Sequence, residues 1–288
     1  MEEYISDNSL YIRSKNNSMI NRKMIGRVLG MLLFIELGMF LLCAGVSAGY
    51  GESDYKYFLY TCIINAVVGG LLLLYGRGAE NKMSRRDGYC VVTLSWVFFT
   101  FFGMLPFYFS GSIDTITNAF FETMSGFTTT GATILDDIES LSHGMLFWRS
   151  LTQWIGGLGI VFFTIAILPI FTTGGVQLFS AESTGVTHDR THPKINVMAK
   201  WLWTIYLVLT VSETVLLMFG GMSLFDAICQ SFATTATGGY STKQNSISYW
   251  NSPYIEYVVA IFMIVSSINF SLFLMCLKGK VGRLFKDE

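Results

Sequence analysis

The sequence predicts an all-α polytopic membrane protein: six full transmembrane helices plus two short re-entrant half-helices, each running into a strand of threonine and glycine. Three observations predict it. Of the 288 residues, 52% are hydrophobic and only 14% are charged, a combination soluble domains rarely show. Several apolar runs reach the ~20 residues needed to cross a bilayer. The basic residues are also sorted: all 19 Lys and Arg except Lys56, Arg149 and Lys243 fall in segments assigned to one side or at the membrane boundaries of those segments. Basic residues collect on the cytoplasmic side of a membrane, so both termini are placed there.

Residues 1–23 are polar, with Arg13, Lys15, Arg22 and Lys23 near the membrane, and read as a cytoplasmic tail without a secretory signal peptide. Residues 24–88 form a helix pair, with spans near Met24–Ala48 and Tyr57–Tyr75 and an external loop carrying Glu52 and Asp54. The basic stretch with Arg77, Lys82, Arg85 and Arg86 closes the pair on the cytoplasmic side. Glu36 lies inside the first span. An intramembrane carboxylate is a functional candidate by default; a hydrogen-bonded structural residue facing another helix is the preferred reading here.

Residues 89–171 contain a span near Cys90–Phe109, a polar dip, and a span near Met145–Phe171. The loop with Asp136, Asp137 and Glu139 reads equally as a cation-concentrating entrance or as a solvated turn. Arg149 either snorkels to headgroups or pairs with an acidic group near the dip. Gly156, Gly157 and Gly159 allow a neighbouring backbone to approach closely, and Pro169 ends or kinks the helix. Residues 172–199 read as a cytoplasmic interfacial linker. His188 and His192 are four apart there, but Pro193 follows directly and no acidic helper accompanies them, so no zinc site is expected. Residues 200–277 repeat the pattern, with spans near Lys200–Phe219 and Pro253–Leu277 that enclose Glu213 and Asn269, and 278–288 is a basic cytoplasmic tail. The five cysteines (Cys43, Cys62, Cys90, Cys229, Cys276) have no metal spacing and read as small buried hydrophobes.

The two dips organise the rest. FETMSGFTTTGAT (Phe121–Thr133) and FDAICQSFATTATGGYST (Phe225–Thr242) each lead from an apolar half-helix, the first over about 118–126, into a segment too polar to face lipid and too short to span. Irregular backbone is tolerated at membrane depth only when packed in protein or lining a water-filled path. Had either dip crossed fully, the later basic segments would lie outside, so the charge pattern supports re-entry independently. Two copies make an internal repeat. Backbone carbonyls and threonine hydroxyls can replace a cation's hydration shell, and glycine permits the dihedrals that aim carbonyls inward. These are therefore expected to be pore half-helices with filter strands. The expected ion filter is Thr129, Thr130, Gly131, Ala132 and Thr133 in one copy and Ala236, Thr237, Gly238, Gly239 and Tyr240 in the other, with Glu122, Ser125 and Gly126 as support behind it. Neutral oxygens suit a monovalent ion, whereas a divalent site would recruit carboxylates. Tyr240 and Lys243 lie where they could alter selectivity. No Gly-x-Ser-x-Gly, P-loop or dinucleotide fingerprint occurs, and His143, His188 and His192 all fall in expected loops, so the chain is not expected to be an enzyme.

The order FETMSGFTTTGATIL, FWRSLTQWIGGLGIVFFTIAILPI, SAES…KINVMAKWLW, FDAICQSFATTATGGYST and INFSL closely resembles the TrkH/TrkG potassium-uptake proteins of bacteria, in the superfamily that includes KtrB. The resemblance covers nearly all of the chain, and the extra helix pair matches the Trk branch. It implies a potassium path in the bacterial plasma (inner) membrane, built from four span-pore-span repeats with one central filter glycine each. It puts Gly131 at that place in the first repeat and Gly238 or Gly239 in the second, with potassium ligated at Thr130, Gly131, Thr237 and Gly238. It implies no covalently bound cofactor, no nucleic acid, and a separate cytoplasmic TrkA-type nucleotide-binding regulatory subunit as partner. This chain holds two such repeats, without the family's intramembrane gating loop and late pore-blocking arginine. The expectation is that it completes a pore with a second half or as a homo-oligomer. The alternative is a truncated non-conducting module that assembles with or modulates a full-length relative.

Overall fold

The computed structural model describes residues 20–79, 84–159 and 195–268. The tail over 1–19, Lys82, Pro169, the histidines at 188 and 192, Asn269, Cys276 and the C-terminal tail lie outside the described residues, as do the later parts of the spans begun at Met145 and Pro253.

Nine α-helices are described: α1 (Arg22–Gly49), α2 (Tyr55–Tyr75), α3 (Arg85–Gly103), α4 (Leu105–Phe109), α5 (Ile116–Phe127), α6 (His143–Gly157), α7 (Ile195–Phe219), α8 (Leu224–Thr235) and α9 (Pro253–Ser267). A 3-10 turn, Ser246–Trp250, precedes α9. Among the described residues four segments are long and apolar enough to cross a membrane, namely α1, α2, α3 continued through α4, and Trp201–Phe219 of α7; α9 is apolar but shorter. No β-strand occurs among the described residues. The expected filter strands are irregular ribbons without a ladder partner, and several of their backbone groups are taken by side chains and helix ends instead.

Helix starts follow local capping. Asn21, Ser84, Thr115, Ser142 and Ser223 each accept a backbone N–H of the first turn through the side chain, which satisfies donors with no intrahelical partner. Ser84 and Asp87 form a full capping box. Asp87 also accepts the Asn21 backbone N–H at 2.8 Å, tying the start of α1 to that of α3. Pro106 lies just past the break between α3 and α4 at Met104, where it cannot continue the backbone ladder.

The helix pair α1–α2 crosses at small residues: a Cβ on Gly30 would lie 2.8 Å from the Gly69 carbonyl oxygen. One face of α1 then packs on α3 and α6. Trp148 of α6 is fully buried there, donating its indole N–H to the Gly103 carbonyl at 2.8 Å and lying 4.6 Å from the Phe40 ring. The second repeat has a smaller core of Leu217, Met222, Ala227, Ile255, Val258 and Val259. The opposite faces expose Ile63, Val67 and Leu71 on α2 and Val208, Val211 and Val215 on α7, the surface a chain facing lipid rather than water presents. Gly156 and Gly157 end α6 against both half-helices. A Cβ on the first would strike the Phe127 carbonyl, and one on the second would come within 2.8 Å of Ala236.

Candidate functional site

The two dips have one backbone design. Helices α5 and α8 each span 12 residues, and an offset of 108 residues superposes their caps, Thr115 on Ser223, and their ends, Phe127 on Thr235. The same offset relates the turns that follow. Thr129 and Thr130 donate their backbone N–H groups to Gly126 and Ser125 at 3.0 and 2.9 Å, and Thr237 and Gly238 donate theirs to Thr234 and Ala233, both at 2.9 Å. Thr129 and Thr237 both adopt positive φ (53° and 56°), as do Gly131 and Gly239 (75° and 82°). A non-glycine residue in that region is uncommon, so its recurrence at equivalent threonines marks a shared, specified turn.

The repeat fixes which glycine is equivalent to which. Gly239 occupies the backbone place of Gly131, the choice the sequence left open. Gly238 is confined to glycine for a different reason: a Cβ there would lie 2.6 Å from Gln153 Oε1 and 2.7 Å from Nε2. Its equivalent, Thr130, is exposed, and its hydroxyl hydrogen-bonds the Thr128 hydroxyl at 2.8 Å. No cis peptide occurs among the described residues, and in a trans peptide the carbonyl opposes the next N–H. With the N–H groups of Thr130 and Gly238 turned back onto their helices, the carbonyls of Thr129 and Thr237 turn away from them.

Behind the ribbons lies a buried polar network. Glu122, 1% exposed, accepts from Thr133 Oγ1 (2.9 Å) and Arg149 Nε (2.8 Å) at one oxygen and from the Ile134 backbone N–H (3.0 Å) at the other. Arg149, 2% exposed, also donates to the Ser241 carbonyl at 3.0 Å, and its guanidinium lies 3.6 Å from the Tyr240 ring centre. Of the two roles open to Arg149 in the sequence, pairing with an acidic group is therefore the one found. A desolvated ion pair is retained favourably only when further hydrogen bonds satisfy both partners, and here they do. Tyr240 is buried, and its hydroxyl donates toward the carbonyls of Glu122 (2.9 Å) and Ala132 (3.3 Å). Ser125 Oγ also donates to Ala132, at 2.6 Å. The Ala132 carbonyl and the Tyr240 side chain thus face the protein. Gly126 is equally constrained, since a Cβ there would strike Thr152 Oγ1.

The second ribbon is held differently. The residue equivalent to Glu122 is Gln230, whose amide donates to Thr234 at 3.3 Å. The first repeat takes over: Arg149 holds the Ser241 carbonyl, and Gln153 Oε1 accepts the Tyr240 backbone N–H at 3.0 Å. Gln153 was not singled out in the sequence. Its signal was its place one turn after Arg149 on the same face of an apolar helix.

At the ribbon ends, Gln244 Oε1 accepts the Ile138 N–H at 3.0 Å, and the ammonium of Lys243 lies 3.8 Å from Glu139 and 4.7 Å from the Tyr249 ring centre. Asp137 accepts from the backbone N–H groups of Glu139 and Ser140, forming a local turn. Inside the spans, Glu36 accepts from Asn65 Nδ2 at 3.0 Å and Glu213 from Thr235 Oγ1 at 3.4 Å, so each carboxyl is tied to another element.

His143, expected in a loop, is the first residue of α6. Its ring stacks on Tyr50 at 3.9 Å and meets Phe225 of α8 edge-on at 4.8 Å. Its Nδ1 is 2.7 Å from Glu52 Oε1, and Glu52 also accepts the His143 and Gly144 backbone N–H groups. Partial burial raises the Glu52 carboxyl, but the hydrogen bonds from His143 and Gly144 outweigh it and hold it below the ordinary value of 4.5. A lowered folded value stabilises the fold above the ordinary value, and the contribution is lost as pH falls through the folded one. The difference in thermal midpoint between the unsubstituted chain and Glu52→Ala, measured in detergent, is therefore expected to be full at neutral pH and to shrink below about pH 4.5.

A family model described as TrkH, cation transport protein, matches residues 55–287. The Trk system potassium uptake protein TrkH of Escherichia coli (strain K12) is 41% identical over 263 residues, covering 91% of this chain and 54% of that protein. TrkG of the same strain is 31% identical over 268 residues, covering 92% and 55%. The crystal structure of the potassium transporter TrkH from Vibrio parahaemolyticus matches with a TM-score of 0.76 at 34% identity, over 91% of this chain and 53% of that one. The chain spans about half the length of the curated relatives it matches.

Proposed function

The chain belongs to the TrkH family of cation transport proteins, and from that premise we propose that it is a pore-forming subunit, or half-subunit, of a bacterial potassium-uptake system. In this reading α5 and α8 enter the membrane from outside and return as ribbons 128–133 and 236–242. The carbonyls of Thr129, Thr237, Gly131 and Gly239, with the Thr130 hydroxyl, face a potassium ion moving down its gradient. The observation that carries the reading is the recurrence of the same positive-φ threonine and positive-φ glycine behind two identically capped half-helices. A packing patch has no need to repeat such a turn, whereas a filter needs oxygens presented alike around an axis.

Two ribbons supply part of a coordination shell. The remainder comes from a second copy or from a further pore-bearing segment, and a TrkA-type nucleotide-binding subunit docks on the cytoplasmic face. The test is growth of a potassium-uptake-deficient bacterium at limiting potassium, with purified chain in proteoliposomes measured in parallel. Rescue that disappears with filter substitutions is the expected result. Membrane-inserted chain that never rescues, alone or with a supplied second half, overturns the proposal. Selective current from a strict monomer overturns only the need for completion.

A further inference from the structure

We infer that Gln153 is a selectivity-determining positioning residue, which aims the Gly239 carbonyl of the second ribbon from its place on the first repeat. The inference rests on the filter reading above and concerns how one of its oxygens is held.

Gln153 is fully buried on α6. Its Oε1 accepts the Tyr240 backbone N–H at 3.0 Å, which also fixes the amide orientation, since the opposite flip would set two donors against each other. Tyr240 N–H and the Gly239 carbonyl belong to one trans peptide and point in opposite directions. Drawing the N–H back into the protein therefore turns the carbonyl out, on the side where Gly239 is exposed. Among the described residues this peptide group makes no other hydrogen bond. A Cβ on Gly239 would meet no atom within 4 Å, and its φ of 82° leaves the backbone in the region where glycine has most freedom.

The rest of the amide acts as a spacer. Its plane lies against Gly238, which explains why that position carries glycine without positive φ, and Nε2 would be 3.9 Å from a Cβ on Gly131 in the other ribbon. Nε2 has no hydrogen-bond partner among the described residues. The side chain thus fills the gap between the ribbons with its donor end uncommitted and its acceptor end engaged. The first ribbon is held at Ala132 instead, whose carbonyl accepts from Ser125 Oγ and from the Tyr240 hydroxyl. One oxygen of the second ribbon therefore depends on this side chain, which also helps to space the two ribbons.

The test compares rubidium-tracer uptake in potassium-uptake-deficient cells, competed by potassium or by sodium, at matched membrane abundance. In the unsubstituted chain potassium is expected to compete far better than sodium. Gln153→Leu, which removes the acceptor, is expected to narrow that ratio about ten-fold, the scale of one hydrogen bond holding a ligand oxygen. Gln153→Glu retains the acceptor and is expected to recover most of the preference, which general packing damage at this site does not predict. A Gln153→Leu chain with the unsubstituted ratio overturns the inference. Gly131→Ser separates this failure from that of the premise: uptake unchanged by Gly131→Ser, or absent from the unsubstituted chain both alone and with a supplied second half, overturns the filter reading itself.

Discussion

Arg149→Met is expected to be among the most destabilising single substitutions in the chain. The guanidinium holds three groups at once: the Glu122 carboxylate, the Ser241 carbonyl and the Tyr240 ring. Methionine restores much of the volume but leaves Glu122 buried with no counter-charge. Removing one partner of a buried pair costs about 3–5 kcal/mol, because the remaining charge is stranded. Removing both is milder, so Glu122→Gln combined with Arg149→Met should recover most of the loss. The chain supplies its own precedent in Gln230, which occupies the equivalent place behind α8. The check is a double-mutant cycle on thermal or denaturant midpoints in detergent. A single variant no less stable than the double would remove the central role given to the pair.

Gly131→Ser carries the largest expected effect on transport, from two independent causes. Its φ of 75° lies where a side chain clashes with its own backbone, at roughly 1–2 kcal/mol. A Cβ there would also strike the Gly238 carbonyl oxygen of the neighbouring ribbon, so the second ribbon must move as well. Gly239→Ser incurs only the first cost, since no atom lies within 4 Å of its would-be Cβ. Tracer uptake is thus expected to fall to background for Gly131→Ser and less severely for Gly239→Ser, with both chains reaching the membrane at normal abundance. The reverse order would show that the two ribbons do not approach each other as described.

The long apolar spans, the half-helices and their hydroxyl-bearing caps were legible because each is a local pattern. Thr115 and Ser223 each stand just before an apolar run, and capping is decided within one turn. Even the Gly238–Gly239 ambiguity had a local answer, since counting the same number of residues from each cap leads from Gly131 to Gly239. What stayed hidden depends on contacts between distant residues. Arg149 had two plausible destinations, and only the packing of α6 against α5 selects Glu122. Gln153 read as one polar residue in an apolar helix, and its meaning comes from Tyr240 on the other repeat. Tyr240 itself read as a filter residue by position, yet its side chain turns inward, because Arg149 and the Ala132 carbonyl offer its ring and hydroxyl partners there. The Glu52–His143–Phe225 cluster joins three segments that no local pattern relates.

The most direct measurement is an experimental structure of the chain in lipid, as the assembly it forms, with thallium replacing potassium and its anomalous signal mapped. The account predicts a peak between the ribbons, within direct coordination distance of the outward carbonyls of Thr129, Thr237 and Gly239. Thallium found only elsewhere, or these carbonyls turned into the protein with the ribbons otherwise intact, would contradict it.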